Sequence, residues 1–216
     1  KENKPVKDRI KKGKRQLSNL DTTRLFFEHL AAEWDARQPA DRQEKLEQLM
    51  AGFDALIKNA ARILEVGTGT GGLLPVLKKH SPGADIIQVD FAHAMLLRAQ
   101  FNHNGDQLVQ ADVHQLPFGL RCFDLAICHN SFPHFKNKPL ALQSLYQIMK
   151  QNGKLLILHE ISRERVNAIH QQAAAVEIHL DLLPENDKMH RLLSTCHFSQ
   201  IEIDDRPDHY SVLAGK

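Results

Sequence analysis

The residues best suited to chemistry stand where apolar runs end. Ile63, Leu64 and Val66 form a short apolar run that stops at Gly67-Thr68-Gly69-Thr70-Gly71-Gly72, and Leu73, Leu74 and Leu77 then resume at helical spacing. A strand that turns into a helix through glycines presents backbone N–H groups and a positive helix end to a ligand. Glycine suits the turn because it accepts φ > 0 and because a Cβ would hinder close approach. Asp90 follows by about 20 residues, the distance at which a carboxylate ending a second strand meets ribose hydroxyls. Asp112 ends a third run, and Cys128-His129-Asn130 and His159-Glu160 end a fourth and a fifth. This pattern implies a nucleotide-like ligand with proton-transfer groups across from it. Among the 13 histidines, His129, His134, His159 and His170 could exchange a proton near neutral pH. With Glu160 they could instead ligate a transition metal, but their spacings match no known metal motif and no metal is assigned.

The elements that must position these groups are legible from periodicity. Asp21-Thr22-Thr23 can cap a helix running through Leu25, Phe26, Leu30 and Trp34 to about Arg37, and Asp41 opens a second helix through Leu46, Met50, Phe53 and Ile57. Strands are expected at 63–66, 85–90, 108–113, 123–128 and 154–159, with helices after the glycines, at 92–101 and at 140–150. Asn152-Gly153 reads as the turn into the fifth strand. A helix with Val166, Ile169, Ala173 and Val176 on one face should reach Leu183, and another should span 187–196. Strands 198–204 and 209–214 close the chain as a hairpin. Strand–helix alternation requires a mainly parallel sheet with helices on both faces, and the hairpin makes the last strand antiparallel. Ligands of such sheets bind beyond the carboxyl ends of the strands.

The 216 residues suit one domain: a basic tail at 1–18, a helical cover at 19–58 and an α/β core at 60–216. A net charge of +2 argues against a general nucleic-acid binder, and the run from Lys1 to Arg15 reads as a solvated tail. No stretch is long and apolar enough for a transmembrane helix or a signal peptide. Cys122, Cys128 and Cys196 lack paired spacing, consistent with reduced thiols in the cytoplasm. Oligomeric state is open.

Two glycine patterns overlap. Gly67, Gly69 and Gly72 satisfy the dinucleotide pattern, whereas Gly67, Gly69 and Gly71 satisfy a tighter alternation. Leu64-Glu65-Val66-Gly67-Thr68-Gly69-Thr70-Gly71 resembles the first motif of class I S-adenosylmethionine-dependent methyltransferases. Asp90-Phe91-Ala92-His93-Ala94-Met95-Leu96 resembles that family's ribose-binding acid and following helix, and Gln110-Ala111-Asp112-Val113 through Leu116-Pro117-Phe118 resembles its third motif. Phe26-Phe27 with Ala31 and Trp34-Asp35 is similar to the first helix of its small-molecule branch, which includes the ubiquinone and menaquinone methyltransferases.

The resemblance implies a Rossmann-like, seven-stranded, mainly parallel sheet with an antiparallel last strand and two covering N-terminal helices. It implies S-adenosylmethionine as cofactor. Gly67, Thr68, Gly69 and Gly71 would pass the methionine part, Glu65 would shape that pocket, and Asp90 would hold the ribose. Phe91, Met95 and Val113 would pack on the adenine, Asp112 would accept from its amino group, His129 would lie near the methionine end, and Trp34 would help cover it. The acceptor would be a small molecule, because Asn130-Ser131-Phe132-Pro133 lacks the Asn/Asp-Pro-Pro-aromatic sequence of nucleic-acid amino methylases. His134, His159 and His170 are the candidate bases. The rival readings are a nicotinamide-dependent oxidoreductase, for which Tyr146 and Lys150 have the right spacing, and a cofactor-binding module without catalysis.

Overall fold

The computed structural model describes residues 19–103 and 107–216, so the basic run at 1–15 lies outside the described residues. Seven strands form one sheet: β1 (Arg62–Val66), β2 (Asp85–Asp90), β3 (Leu108–Gln110), β4 (Phe123–His129), β5 (Met149–His159), β6 (Ser199–Arg206) and β7 (His209–Gly215), in the order β3-β2-β1-β4-β5-β7-β6. β1 to β5 pair in parallel, and β7 runs antiparallel to both β5 and β6. The strand order reverses between β1 and β4, which places the expected ligand crevice over the glycines.

The central strands are apolar on both sides because both faces of the sheet are covered. Leu155 to Leu158 are all buried, Leu155 and Ile157 joining one core cluster and Leu156 and Leu158 the other. The first cluster lies under α6 (Lys138–Ile148) and α8 (Asn186–Thr195). The second lies under α2 (Arg42–Ala51), α3 (Asp54–Lys58) and α4 (Leu74–His80).

Several helices differ from the sequence expectation. α1 spans Asn19–Leu30, so Asp21-Thr22-Thr23 lie inside it instead of capping it. It stops before Trp34, whose ring instead folds back to 6.1 Å from Phe27, and a single 3-10 turn covers Asp35–Arg37. The second expected helix is broken into α2 and α3 at Gly52, a residue of low helix propensity whose N–H bonds to Leu49 O. The cover thus holds three helices, not two. β5 begins at Met149 and runs straight through Asn152-Gly153. The expected turn has become a kink within the strand, with Asn152 at φ 67° and the β4 register shifting opposite it.

α7 (Arg163–Gln172) ends eleven residues short of Leu183. Asn167 donates to Leu183 O and accepts from Leu183 N, and His170 Nδ1 bonds Asp181 O, so long-range side-chain contacts draw the chain back over the helix. The expected apolar face fails with it: Val166 is buried, but Ile169 and Val176 are exposed. Residues 173–185 become a strap across the sheet's carboxyl end. α5 (His93–His103) completes the frame, its first turn capped from α1, where the Glu28 carboxylate accepts from His93 N (2.8 Å) and Ala94 N (2.7 Å).

Candidate active site

The glycine loop is built from three left-handed residues, Gly67 (φ 73°), Gly69 (φ 55°) and Gly71 (φ 84°), while Gly72 needs no such conformation. This geometry belongs to the alternating pattern, not the dinucleotide one. The three glycines serve different ends. A Cβ at Gly67 would stand 2.3 Å from Ser131 Cβ, and one at Gly71 would meet His103 and Ala99 of α5. At Gly69 it would meet only Trp34 Nε1, at 4.0 Å, so this residue leaves room for a ligand. Gly67 N and Thr68 N both donate to Val89 O, and Ser131 Oγ donates to Val66 O at 2.6 Å, fixing the loop between β2 and β4.

Asp90 is buried at the end of β2. Its Oδ2 accepts from Gly69 N (2.8 Å) and its Oδ1 from Ala92 N (2.9 Å). Each oxygen retains lone-pair capacity for a hydroxyl donor. Burial pushes its carboxyl up to about 6 even though the backbone donors favour the anion.

Beyond the loop lies a pocket of about 830 Å³, mouth included. Of the residues expected at the cofactor, Gly67, Thr68, Gly69, Asp90, Phe91, Met95, Asp112, Val113, His129 and Trp34 line it, and so does His134. Asp112 Oδ1 receives both His114 N and His114 Nδ1, which caps a 3-10 turn and leaves Oδ2 for a ligand. Trp34 is held over the loop by its neighbour Asp35, which accepts from Thr70 Oγ1 (2.5 Å) and Asn102 Nδ2 (3.0 Å).

Four expected site residues do not line the pocket. Glu65 lies behind the loop, where Gln88 Nε2 bridges it (2.8 Å) to Thr68 Oγ1 (2.6 Å); it shapes the loop from below. Gly71 faces α5. His159 is buried on the opposite sheet face from His129, and burial lowers it to about 3, which keeps it neutral and makes it a poor base. His170 turns its Nδ1 to the strap and packs its ring, tilted, against His134, the ring centroids 4.9 Å apart. Among the described residues no three His, Cys, Asp or Glu side chains form a group able to hold a metal.

Two functional partners, Arg42 and Asp181, went unseen in the sequence. Arg42, at the start of α2, lines the pocket beside Gly72, with its Nε 3.7 Å from Glu160 Oε1. Glu160 also pairs with His129 Nε2 (2.9 Å) and accepts from Asn130 Nδ2 (2.5 Å). Burial opposes its charge, but His129, Asn130 and Arg42 prevail and hold its carboxyl far below the usual range. Asp181, on the strap, accepts from His134 Nδ1 at 2.9 Å. Arg42 and Asp181 stand alone in polar stretches, and nothing local points to them.

Residues 64–157 match a family profile described as a methyltransferase domain. Over that segment the chain is similar to S-adenosylmethionine-dependent methyltransferases. A demethylmenaquinone methyltransferase of Thermus thermophilus is 36% identical over 108 residues, which is 48% of this chain and 49% of that protein. A malonyl-[acyl-carrier protein] O-methyltransferase of Geobacter sulfurreducens is 32% identical over 133 residues, 60% of this chain and 49% of the relative. The chain spans about half the length of the curated relatives it matches. The fold is shared with an S-adenosylmethionine-dependent methyltransferase of Thermotoga maritima (TM-score 0.71, 15% identity, 89% of this chain and 99% of that one). It is shared too with human N-acetylserotonin methyltransferase, solved with S-adenosylmethionine (TM-score 0.62, 17% identity, 92% of this chain and 56% of that one).

In this methyltransferase fold the Tyr146–Lys150 pair falls at the wrong end of the sheet. Lys150 Nζ bonds both oxygens of Asp124, which also accepts from Arg62 N at the amino ends of β1 and β4, and Tyr146 packs on Phe198. Neither reaches the glycine loop, so the pair offers no dehydrogenase chemistry. No helix among the described residues is long and apolar enough to cross a membrane.

Proposed function

We propose that this chain binds S-adenosylmethionine in the pocket above the glycine loop and transfers its methyl group to a small-molecule acceptor, as a single domain working in the cytoplasm. The observation that carries the reading is the loop itself: three left-handed glycines, the middle one open to the pocket, tied through Gly69 N to a buried acid that ends β2. When bound, the cofactor supplies a sulfonium methyl for in-line displacement by the acceptor. In this reading Asp90 holds the ribose hydroxyls, Asp112 Oδ2 accepts from the adenine amino group, and Phe91, Met95 and Val113 pack on the ring. Phe27 and Trp34 from the cover exclude water, and the work of catalysis is chiefly positioning and desolvation. The test is transfer of label from methyl-labelled S-adenosylmethionine to a panel of phenol, thiol, hydroquinone and thioester acceptors. Methylated product supports the proposal, and its absence despite tight cofactor binding would favour the non-catalytic module.

The amino-acid end of the cofactor would meet a charge pair. Arg42 lines the pocket and suits an α-carboxylate, and Glu160 stands behind it as its partner. Arg42→Met is therefore expected to weaken S-adenosylhomocysteine binding about tenfold, the worth of one charge-assisted hydrogen bond. Adenosine, which lacks that end, should bind the variant as it binds the parent. Calorimetry with the two ligands checks this, and an equal loss for both would remove Arg42 from the role.

A further inference from the structure

The strap at 173–185 brings a carboxylate to the one candidate base that lines the pocket. His134 Nδ1 lies 2.9 Å from Asp181 Oδ2, and Lys136 Nζ donates to the other oxygen at 2.5 Å. Asp181 is only 2% exposed; burial pushes its carboxyl up, but His134 and Lys136 outweigh that and hold it below its usual range. An ionised carboxylate is acceptor-only, so it forces the proton of a neutral His134 onto Nδ1 and leaves Nε2 as the basic nitrogen. The ring is fixed on its other sides by Phe27 edge-on at 4.9 Å and by the tilted ring of His170.

The strap that delivers Asp181 is itself fastened from four directions. Lys136 Nζ donates to Glu177 O, Thr23 of α1 reaches the same carbonyl at 3.4 Å, Asn167 bonds both polar groups of Leu183's backbone, and His170 bonds Asp181 O. A loop held this thoroughly, with one buried acid turned inward, has the form of a support for His134.

We propose that Asp181 is the positioning residue for His134, holding it in the Nδ1–H tautomer so that Nε2 takes a proton from the methyl acceptor. This rests on the methyl-transfer reading and narrows its acceptor class. The acceptor's X–H bond breaks, its proton forms a bond to Nε2, and the electron pair stays on X to bond the methyl carbon. Such a base serves an acceptor with a proton to lose, a phenol or hydroquinone for example, and adds nothing for a carboxylate already ionised at neutral pH. The charged and titratable groups around His134 are Asp181, Lys136 on the far oxygen of that carboxylate, Lys138 of α6, His170 of α7 and His159 of β5.

Long-range proton–nitrogen NMR of the histidine side chains tests this without any acceptor, with His134 assigned by the peak lost in His134→Gln. The parent, saturated with S-adenosylhomocysteine, should show His134 as Nδ1–H. In Asp181→Asn the amide can donate to Nδ1, so the signal should move to the Nε2–H tautomer, while Lys136→Met should keep Nδ1–H. Binding of S-adenosylhomocysteine should change by no more than about twofold in either variant, since Asp181 does not line the pocket. On a phenolic acceptor, kcat should fall about 10²–10⁴-fold in Asp181→Asn with KM little changed. An Nε2–H tautomer in the parent overturns the proposal even if Asp181→Asn does not fold, and so does an unchanged tautomer in that variant or turnover of a malonyl thioester in preference to phenols. Failure of S-adenosylhomocysteine to bind the parent would instead sink the methyl-transfer reading, whatever the tautomer.

Discussion

Asp90→Asn is expected to weaken S-adenosylhomocysteine binding about 100-fold. The parent carboxylate offers each ribose hydroxyl an anionic acceptor, and hydrogen bonds to charged groups are worth about 1.5–3 kcal/mol each. The amide keeps one neutral acceptor and turns a donor toward either Gly69 N or Ala92 N, which now donate to the two carboxylate oxygens at 2.8 and 2.9 Å. The same site sets a pH dependence. Burial raises the free acid from 3.8 to about 6, and hydroxyl donors favour its ionised form. Affinity should therefore be full above pH 6 and fall about tenfold for each unit below it, with a proton released on binding. Asp90→Asn should flatten this profile between pH 5 and 8. A slope that survives the substitution would point to Glu65, whose carboxyl burial also pushes up behind the loop despite the bond from Gln88. Calorimetry across pH on both proteins separates the two acids.

Gly67→Ala should unfold the loop where Gly69→Ala only blocks it. At Gly67 a methyl faces two costs. A φ of 73° costs an L-residue roughly 1–2 kcal/mol. The new Cβ, 2.3 Å from Ser131 Cβ and 2.9 Å from its Oγ, adds overpacking of about 1–3 kcal/mol. Ser131 cannot step aside without losing its bond to Val66 O. A melting temperature lower by roughly 10 °C is the expected result for a chain of this size. Gly69→Ala carries the φ cost alone, because its Cβ meets only Trp34 Nε1 at 4.0 Å. It should melt only slightly earlier than the parent yet bind S-adenosylhomocysteine far more weakly. Thermal melts and calorimetry on the two variants read the contrast, and equal melting temperatures would contradict it.

The ends of β1, β2 and β4 were legible because local chemistry writes them: an apolar run stops, then a glycine or an acid follows. The glycine pattern was ambiguous in letters and became definite only through φ, which no spacing specifies. Position within the sheet was legible as well: Asp90 and His129 end β2 and β4 as expected, whereas β3 stops at Gln110 and Asp112 follows it as the cap of a 3-10 turn. What stayed hidden was long-range. Glu28 caps a helix that starts 65 residues later, Arg42 reaches the loop from the cover, and Asp181 reaches His134 across 47 residues. α7 carried an apolar periodicity toward Leu183, yet bonds from Asn167 and His170 to the returning chain ended it at Gln172, a tertiary override of a local pattern. His159 was misjudged for a related reason. Strand parity put it on the face of Tyr210 and Ile157, buried among apolar groups, and not on the face of His129.

The central claim, that this pocket takes the methyl donor and not a dinucleotide, is tested most directly by titrating the purified chain with S-adenosylhomocysteine and with NADH in the same calorimeter. One-to-one binding of S-adenosylhomocysteine with no heat from NADH is the predicted result. Binding of NADH with none of S-adenosylhomocysteine would contradict it.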